Sequence, residues 1–113
     1  MTRDVGPVLQ DMLDTIALVD TALSGKSRED LGRDAILRLA IQRAIEIISE
    51  ASRHIPDELL QHTPDIPWRA IRGIGNILRH EYHRIADDMI WTVVVRDLPA
   101  LRVAVETLVS KIE

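Results

Sequence analysis

The sequence predicts an all-α protein, and three observations predict it. Apolar residues recur at helical spacing along most of the chain. No stretch alternates apolar and polar with a period of two, and neither Asn-Gly nor Asp-Gly, the strongest hairpin signals, occurs. The expected architecture is an up-and-down bundle of four to five helices with short links, folded as one domain over residues 1–113.

The first helix is expected over residues 5–23, where Val8, Leu9, Met12, Leu13, Ile16, Val19 and Leu23 share a face and Ser24-Gly25-Lys26 ends the run. A second is expected to start at Ser27, whose hydroxyl stands three residues before Asp30 as in a capping box. Its apolar face, from Leu31 to Ala51, continues towards Arg53, which predicts one long helix of about 39 Å. Pro56, Pro64 and Pro67 bracket the next connection, with one helical turn at Asp57–Gln61. Pro67 suits the first position of a third helix running to about residue 84. A short fourth helix is expected to open at Asp87 or Asp88 and to carry Ile90, Trp91 and Val94. Asp97-Leu98-Pro99 is expected to start a separate last one.

Composition narrows the function. Of 113 residues, 46% are apolar and 28% charged, the balance of an ordinary globular protein. A formal charge of −4 excludes a globally basic nucleic-acid binder but not a local basic patch. There is no Cys, hence no thiol nucleophile and no Cys-based metal site. No apolar run is long enough for a membrane span, and the N-terminus lacks a signal-peptide core. With no Cys, this leads to the expectation of a cytoplasmic protein without membrane contact.

Residues 68–91 hold all three aromatics, Trp68, Tyr82 and Trp91. Between 69 and 84 lie four Arg (Arg69, Arg72, Arg79, Arg84), His80 and His83, with Glu81 the one acid, so an acidic chain carries a local surplus of positive charge. On a helical wheel Arg69, Arg72, Asn76, Arg79, His80 and His83 share an arc of about 100°. Ile71, Ile74, Leu78, Tyr82 and Ile85 lie opposite. A solvated helix face normally mixes signs; this one is suited to something anionic. Gly73 and Gly75 are costly inside a helix. Tight helix packing is the reading for Gly73, while close approach of a ligand or backbone stays open for Gly75. On the second helix, Arg38, Gln42, Glu46, Ser49 and Arg53 form a polar stripe, read mostly as a surface ladder of side-chain pairs, with Glu46 held open as a group that orients a histidine or an arginine.

The run from Ile66 to Tyr82, with Asn-x-x-x-His-x-Tyr following Trp-x-x-Ile-x-Gly, resembles HepT-like proteins of the HEPN superfamily. Arg43–Ala51 resembles that family's long second helix, and Ile90-Trp91 with Asp97-Leu98-Pro99-Ala100-Leu101 resembles its C-terminal part. The resemblance implies a compact HEPN-like bundle that forms two-fold homodimers. It implies the toxin of a toxin–antitoxin pair whose partner is a small nucleotidyltransferase antitoxin of the MntA type. It also implies metal-independent RNA cleavage at a site completed in the dimer cleft. Carried over, the family's histidine is His80 and its modifiable tyrosine, which the antitoxin tags with AMP units, is Tyr82. The arginine that directly precedes the family's asparagine, here Asn76, is replaced by Gly75. Arg72 and Arg79 flank the same face and are the candidates to supply the missing cation; the alternative is that catalysis is lost.

The chemistry stands without the family. Strand scission by the RNA 2′-hydroxyl needs a general base that titrates near neutrality, which suits His80. It also needs a cation at the charged phosphorane, which suits Arg72 or Arg79, with Asn76 to position the strand. Arg69, His83 and Glu46 are candidates for holding the rest of the substrate. No cofactor is expected. His80 and His83 at i, i+3, without Cys or His-Glu-x-x-His, make a poor metal site. The competing reading is a non-catalytic RNA- or nucleotide-binding module whose main role is as partner of a nucleotidyltransferase, modified at Tyr82.

Overall fold

A computed structural model of the chain describes residues 4–81 and 87–113. Among them every regular element is helical, and the bundle expectation is met. Helix α1 spans Val5–Leu23, buries Val8, Leu9, Met12, Ile16, Val19 and Leu23, and stops where Gly25 turns to φ +73°. That left-handed conformation carries little penalty for glycine alone.

The expected long second helix is two. Helix α2, Arg28–Arg33, begins with the Ser27–Asp30 capping box, both of whose hydrogen bonds form. Helix α3, Ala35–Ser52, begins afresh, because Asp34 adopts an extended conformation and its carboxylate accepts the Leu37 N–H at 3.0 Å. Periodicity alone does not reveal this break, since both helices keep their apolar residues inward. Gly32 weakens the helix just before the break, and Asp competes for backbone donors at helix starts. Arg38 Nη1 covers the freed Gly32 carbonyl at 3.1 Å. Leu31 is fully buried, and ion pairs from Arg28 to Asp88 and from Arg38 to Asp87 tie this corner to a later helix. Asp34→Ala is expected to cost about 1 kcal/mol, the usual worth of an N-cap, read as a lower urea midpoint with unchanged slope.

The capping box has a pH signature. Asp30 is held below the ordinary carboxylate range, first by the Ser27 N–H and then by its hydroxyl. Its contribution to α2 is therefore complete above the ordinary carboxylate pKa and is lost as pH falls through the depressed folded value.

Helix α4 is the single turn Asp57–Leu60, as expected. Helix α5, Trp68–Glu81, starts one residue after Pro67, whose carbonyl accepts the Ile71 N–H at 3.1 Å. The buried Trp68 indole donates to Thr63 Oγ1 at 3.1 Å and pins this start.

The last two helices are not separate. Helix α6, Asp87–Thr92, runs through a π-helical turn at Val93–Asp97 straight into α7, Leu98–Ile112. Asp97 makes no capping bond; its carboxylate takes Arg96 Nε at 2.9 Å instead. Pro99 explains the turn. Its ring would press on the carbonyl four residues back and it has no N–H to give. The wider turn, with Leu98 N–H on the Val93 carbonyl, passes the proline without ending the helix.

Helix α3 is the spine: α1 and α5 both pack against it, and α7 packs on α1. Ile41, Ile45 and Ile48 of α3 join Leu9 and Met12 of α1 and Leu101, Val105 and Leu108 of α7 in one buried cluster. The polar side of α5 is thereby left facing out.

Candidate functional site

Helix α5 presents the two faces that its sequence implies. Trp68 and Leu78 are buried, and Ile71 and Ile74 are partly so. Arg69, Asn76, Arg79 and His80 are exposed and Arg72 is half-buried. Tyr82, His83, Arg84 and Ile85 lie outside the described residues. No helix among the described residues is long and apolar enough to cross a membrane.

The packing role expected of Gly73 falls to Gly75. A Cβ at Gly73 would meet nothing within 4 Å, so Gly73 is not the packing glycine. Gly75 is buried, and a Cβ there would come 2.7 Å from Ser49 Oγ and 2.9 Å from Ser49 Cβ. The Gly75 N–H donates to Ser49 Oγ at 3.1 Å, and that hydroxyl donates to the Arg72 carbonyl at 3.1 Å. The sequence assigned Ser49 to a solvated ladder; it is instead buried at a close contact between α3 and α5. Gln42 is buried, and Arg53 Nε donates across to the Arg72 carbonyl at 3.1 Å. From Glu46 to Arg53 the stripe is a seam against α5, while Arg38 turns to Gly32 and Asp87. A one-residue view of α3 carries no signal of that.

The two candidate cations are held very differently. Arg72 spends its guanidinium on the protein itself. Its Nε reaches the Ser52 carbonyl at 3.3 Å, Nη2 the Ile55 carbonyl at 2.8 Å, and Nη1 the Asp57 carboxylate at 3.2 Å. It adds a second donor to the Ser52 carbonyl, which also accepts the Ile55 N–H, and covers the Ile55 carbonyl just beyond α3, where a cation also suits the helix dipole. Arg79 makes one bond among the described residues, from Nε to Glu46 Oε1 at 3.4 Å, so both Nη groups remain open. The same Glu46 oxygen accepts Arg43 Nη1 at 3.1 Å. Glu46, left open between orienting a histidine and orienting an arginine, is seated against two arginines. Its side chain is only 18% exposed, and that partial burial strengthens such pairs relative to surface ones.

His80 follows Arg79 directly and is exposed, as is Asn76 one turn before it. Neither they nor Arg69 bonds to a described residue. An accessible imidazole beside a guanidinium anchored through Nε can move a proton and stabilise a nearby anion. Beside Arg79 opens a groove of about 440 Å³, walled by α1 and α5 and floored by α3. Among the described residues no group of three His, Asp or Glu side chains is placed to hold a metal ion.

Comparison with known proteins places these features in a family. The model of the family described as "Ribonuclease HepT-like" matches residues 12–108. The chain is 34% identical to "Putative RNase MJ1380" of Methanocaldococcus jannaschii over 92% of this chain and 95% of that one. It is 32% identical to "Probable ribonuclease HepT" of Thermococcus cleftensis, over 90% and 93% respectively. No solved structure matches the chain.

Proposed function

The chain belongs to the ribonuclease HepT-like family, and from that premise we propose that it is an endoribonuclease acting without a metal ion. The observation that carries this reading is the exposed His80 next to Arg79, whose Nη groups have no partner among the described residues while Glu46 steadies its Nε. His80 takes the proton of the RNA 2′-hydroxyl, and that oxygen attacks the adjacent phosphorus. Arg79 holds the developing phosphorane charge, and Asn76 positions the strand. The P–O5′ bond breaks, leaving a 2′,3′-cyclic phosphate and a 5′-hydroxyl. The leaving oxygen receives its proton from a second imidazole, which a homodimer supplies as the His80 of a second copy. Arg69 and His83 extend the cationic face along the strand.

The same reading makes the protein a cytoplasmic toxin, neutralised by a nucleotidyltransferase antitoxin of the MntA type that modifies Tyr82. Family membership supports it. The test is cleavage of total cellular RNA in EDTA by the purified, unmodified protein.

The two arginines give a separable pair of expectations. Arg79→Ala is expected to cut cleavage about 100-fold or more, as loss of one stabilising donor does, with little change in stability. Arg72→Ala is expected to lower stability by about 1–3 kcal/mol, because it strands the Ile55 carbonyl and takes one of two donors from the Ser52 carbonyl. A thermal melt of each variant beside its cleavage rate checks both. If Arg72→Ala is inactive at full stability, the assignment of the cation to Arg79 is wrong.

One observation favours a second reading, the binding module modified at Tyr82. Gly75 stands where the family's arginine stands, and its place is filled by Ser49. A folded, unmodified protein that binds RNA through α5 yet leaves it intact would establish that reading.

A further inference from the structure

We propose that the groove beside Arg79 is a base-reading subsite selective for guanine, which rests on the reading of Arg79 as a phosphate ligand. Three features converge there. Arg79 lines the groove, so a strand whose phosphate lies on that guanidinium has its neighbouring base within reach of it. Its volume, about 440 Å³, falls in the range of small-ligand sites. Its floor on α3 is apolar at Ile47 and Ala51, next to Val8 of α1, and Ile47 stays 37% exposed although it is a large hydrophobe. An apolar floor with polar walls is what an unstacked base requires: a surface for its face and hydrogen-bonding groups for its edges.

The polar groups are sorted by wall. On the α3 and α5 side stand Arg43 and Arg79, held next to each other by the one Glu46 oxygen. On the α1 side stands Asp11. Glu46 is committed to the arginines, and Glu50 is within 3.6 Å of both Arg53 and His54. Asp11 is the carboxylate of this groove with no partner among the described residues. A carboxylate offers two acceptor oxygens side by side. Guanine is the base that opposes two adjacent donors to them, N1–H and the N2 amino group. Adenine, cytosine and uracil each place an acceptor beside their donor and are repelled. The adjacent edge of guanine, turned by about a right angle, carries O6 and N7, the commonest partners of an arginine fork. The two walls thus meet the two edges of one base.

The test uses the four nucleoside 5′-monophosphates, which share the phosphate and differ in the base. Each is titrated into the full-length protein and its Kd is read from amide shifts around Asp11 and Ile47. The expected result is a Kd for GMP about tenfold below those of AMP, CMP and UMP, the discrimination of one bidentate pair. Asp11→Asn is expected to reduce that ratio to about twofold or less, since an amide presents one acceptor and repels with the other group. Asp11 is exposed and outside the buried cluster, so the variant folds. Equal affinities for the four nucleotides, or a GMP preference untouched by Asp11→Asn, would overturn the proposal. Because this readout needs no catalysis, failure of the ribonuclease reading leaves it intact. Conversely, cleavage that shows no guanine beside the cut counts against the subsite alone.

Discussion

His80→Ala is expected to lower RNA cleavage in EDTA by about 10²–10⁴-fold, the usual contribution of a general base. The side chain is exposed and bonds to no described residue, so its removal leaves no buried group unpaired. Thermal stability is expected to stay within about 0.5 kcal/mol of the parent, as for surface substitutions generally. The pairing of a large activity loss with an unchanged melt separates a catalytic imidazole from a structural one. Chelation by EDTA removes any contribution from contaminating metal nucleases that need divalent ions. Cleavage that survives in the variant at the parent rate would remove His80 from the mechanism.

Gly75→Ala is expected to have the largest effect on stability for the smallest change in structure. Helix propensity favours the alanine by about 1 kcal/mol. Against that stands a contact of 2.7 Å to Ser49 Oγ and 2.9 Å to Ser49 Cβ. Both atoms belong to a short side chain on a helix packed at the centre of the bundle, so the strain cannot be relieved by a flexible tip. Overpacking of this kind costs about 1–3 kcal/mol, and the helices must also part around the Gly75–Ser49–Arg72 hydrogen bonds. The net expectation is a loss of about 1–2 kcal/mol. In a Ser49→Gly background the same substitution is expected to gain the propensity term instead. The double-mutant cycle should thus show a coupling of at least about 1 kcal/mol. Additive effects would mean that the two helices are not in contact at this point. The same cycle with Gly75→Arg asks a functional question: whether restoring the family's arginine raises cleavage once Ser49 no longer blocks it.

Much of the fold was legible in the residues themselves. The face of α1 from Val8 to Leu23, the Ser27 capping box, the turn at Asp57 and the start of α5 after Pro67 are local signals, and local structure obeys them. The two errors have different causes. At Asp34 the apolar pattern stays in phase across the break, so periodicity does not see it; at Val93–Asp97 the residues Asp97 and Pro99 imitate a helix start that the structure does not use. An extended Asp34 is stabilised by α2 docking through Leu31 and Arg28 onto the core and α6, with Arg38 of α3 pairing to Asp87 beside it. The π-helical turn lets the helix pass Pro99 because α7 is packed along α1 on its far side.

For the site, the sequence determined which chemistry is present. The cationic face of α5, the His80–Arg79 adjacency and the absence of an arginine at position 75 are properties of the residues and their spacing. Which arginine is available was decided only by tertiary structure. Arg72 and Arg79 lie at neighbouring wheel positions and are equivalent by sequence. Arg72 faces the Ser52 and Ile55 carbonyls at and just beyond the end of α3 and is consumed by them, whereas among the described residues Arg79 meets one carboxylate, Glu46, and keeps its outer donors. Likewise nothing in the spacing of Gly73 and Gly75 says which of them touches Ser49. That depends on the rotation of α5 against α3, which is set by the burial of Trp68 and Leu78 at either end of the contact. A helix carries its side chains in its sequence, but what each one meets belongs to the neighbouring helix.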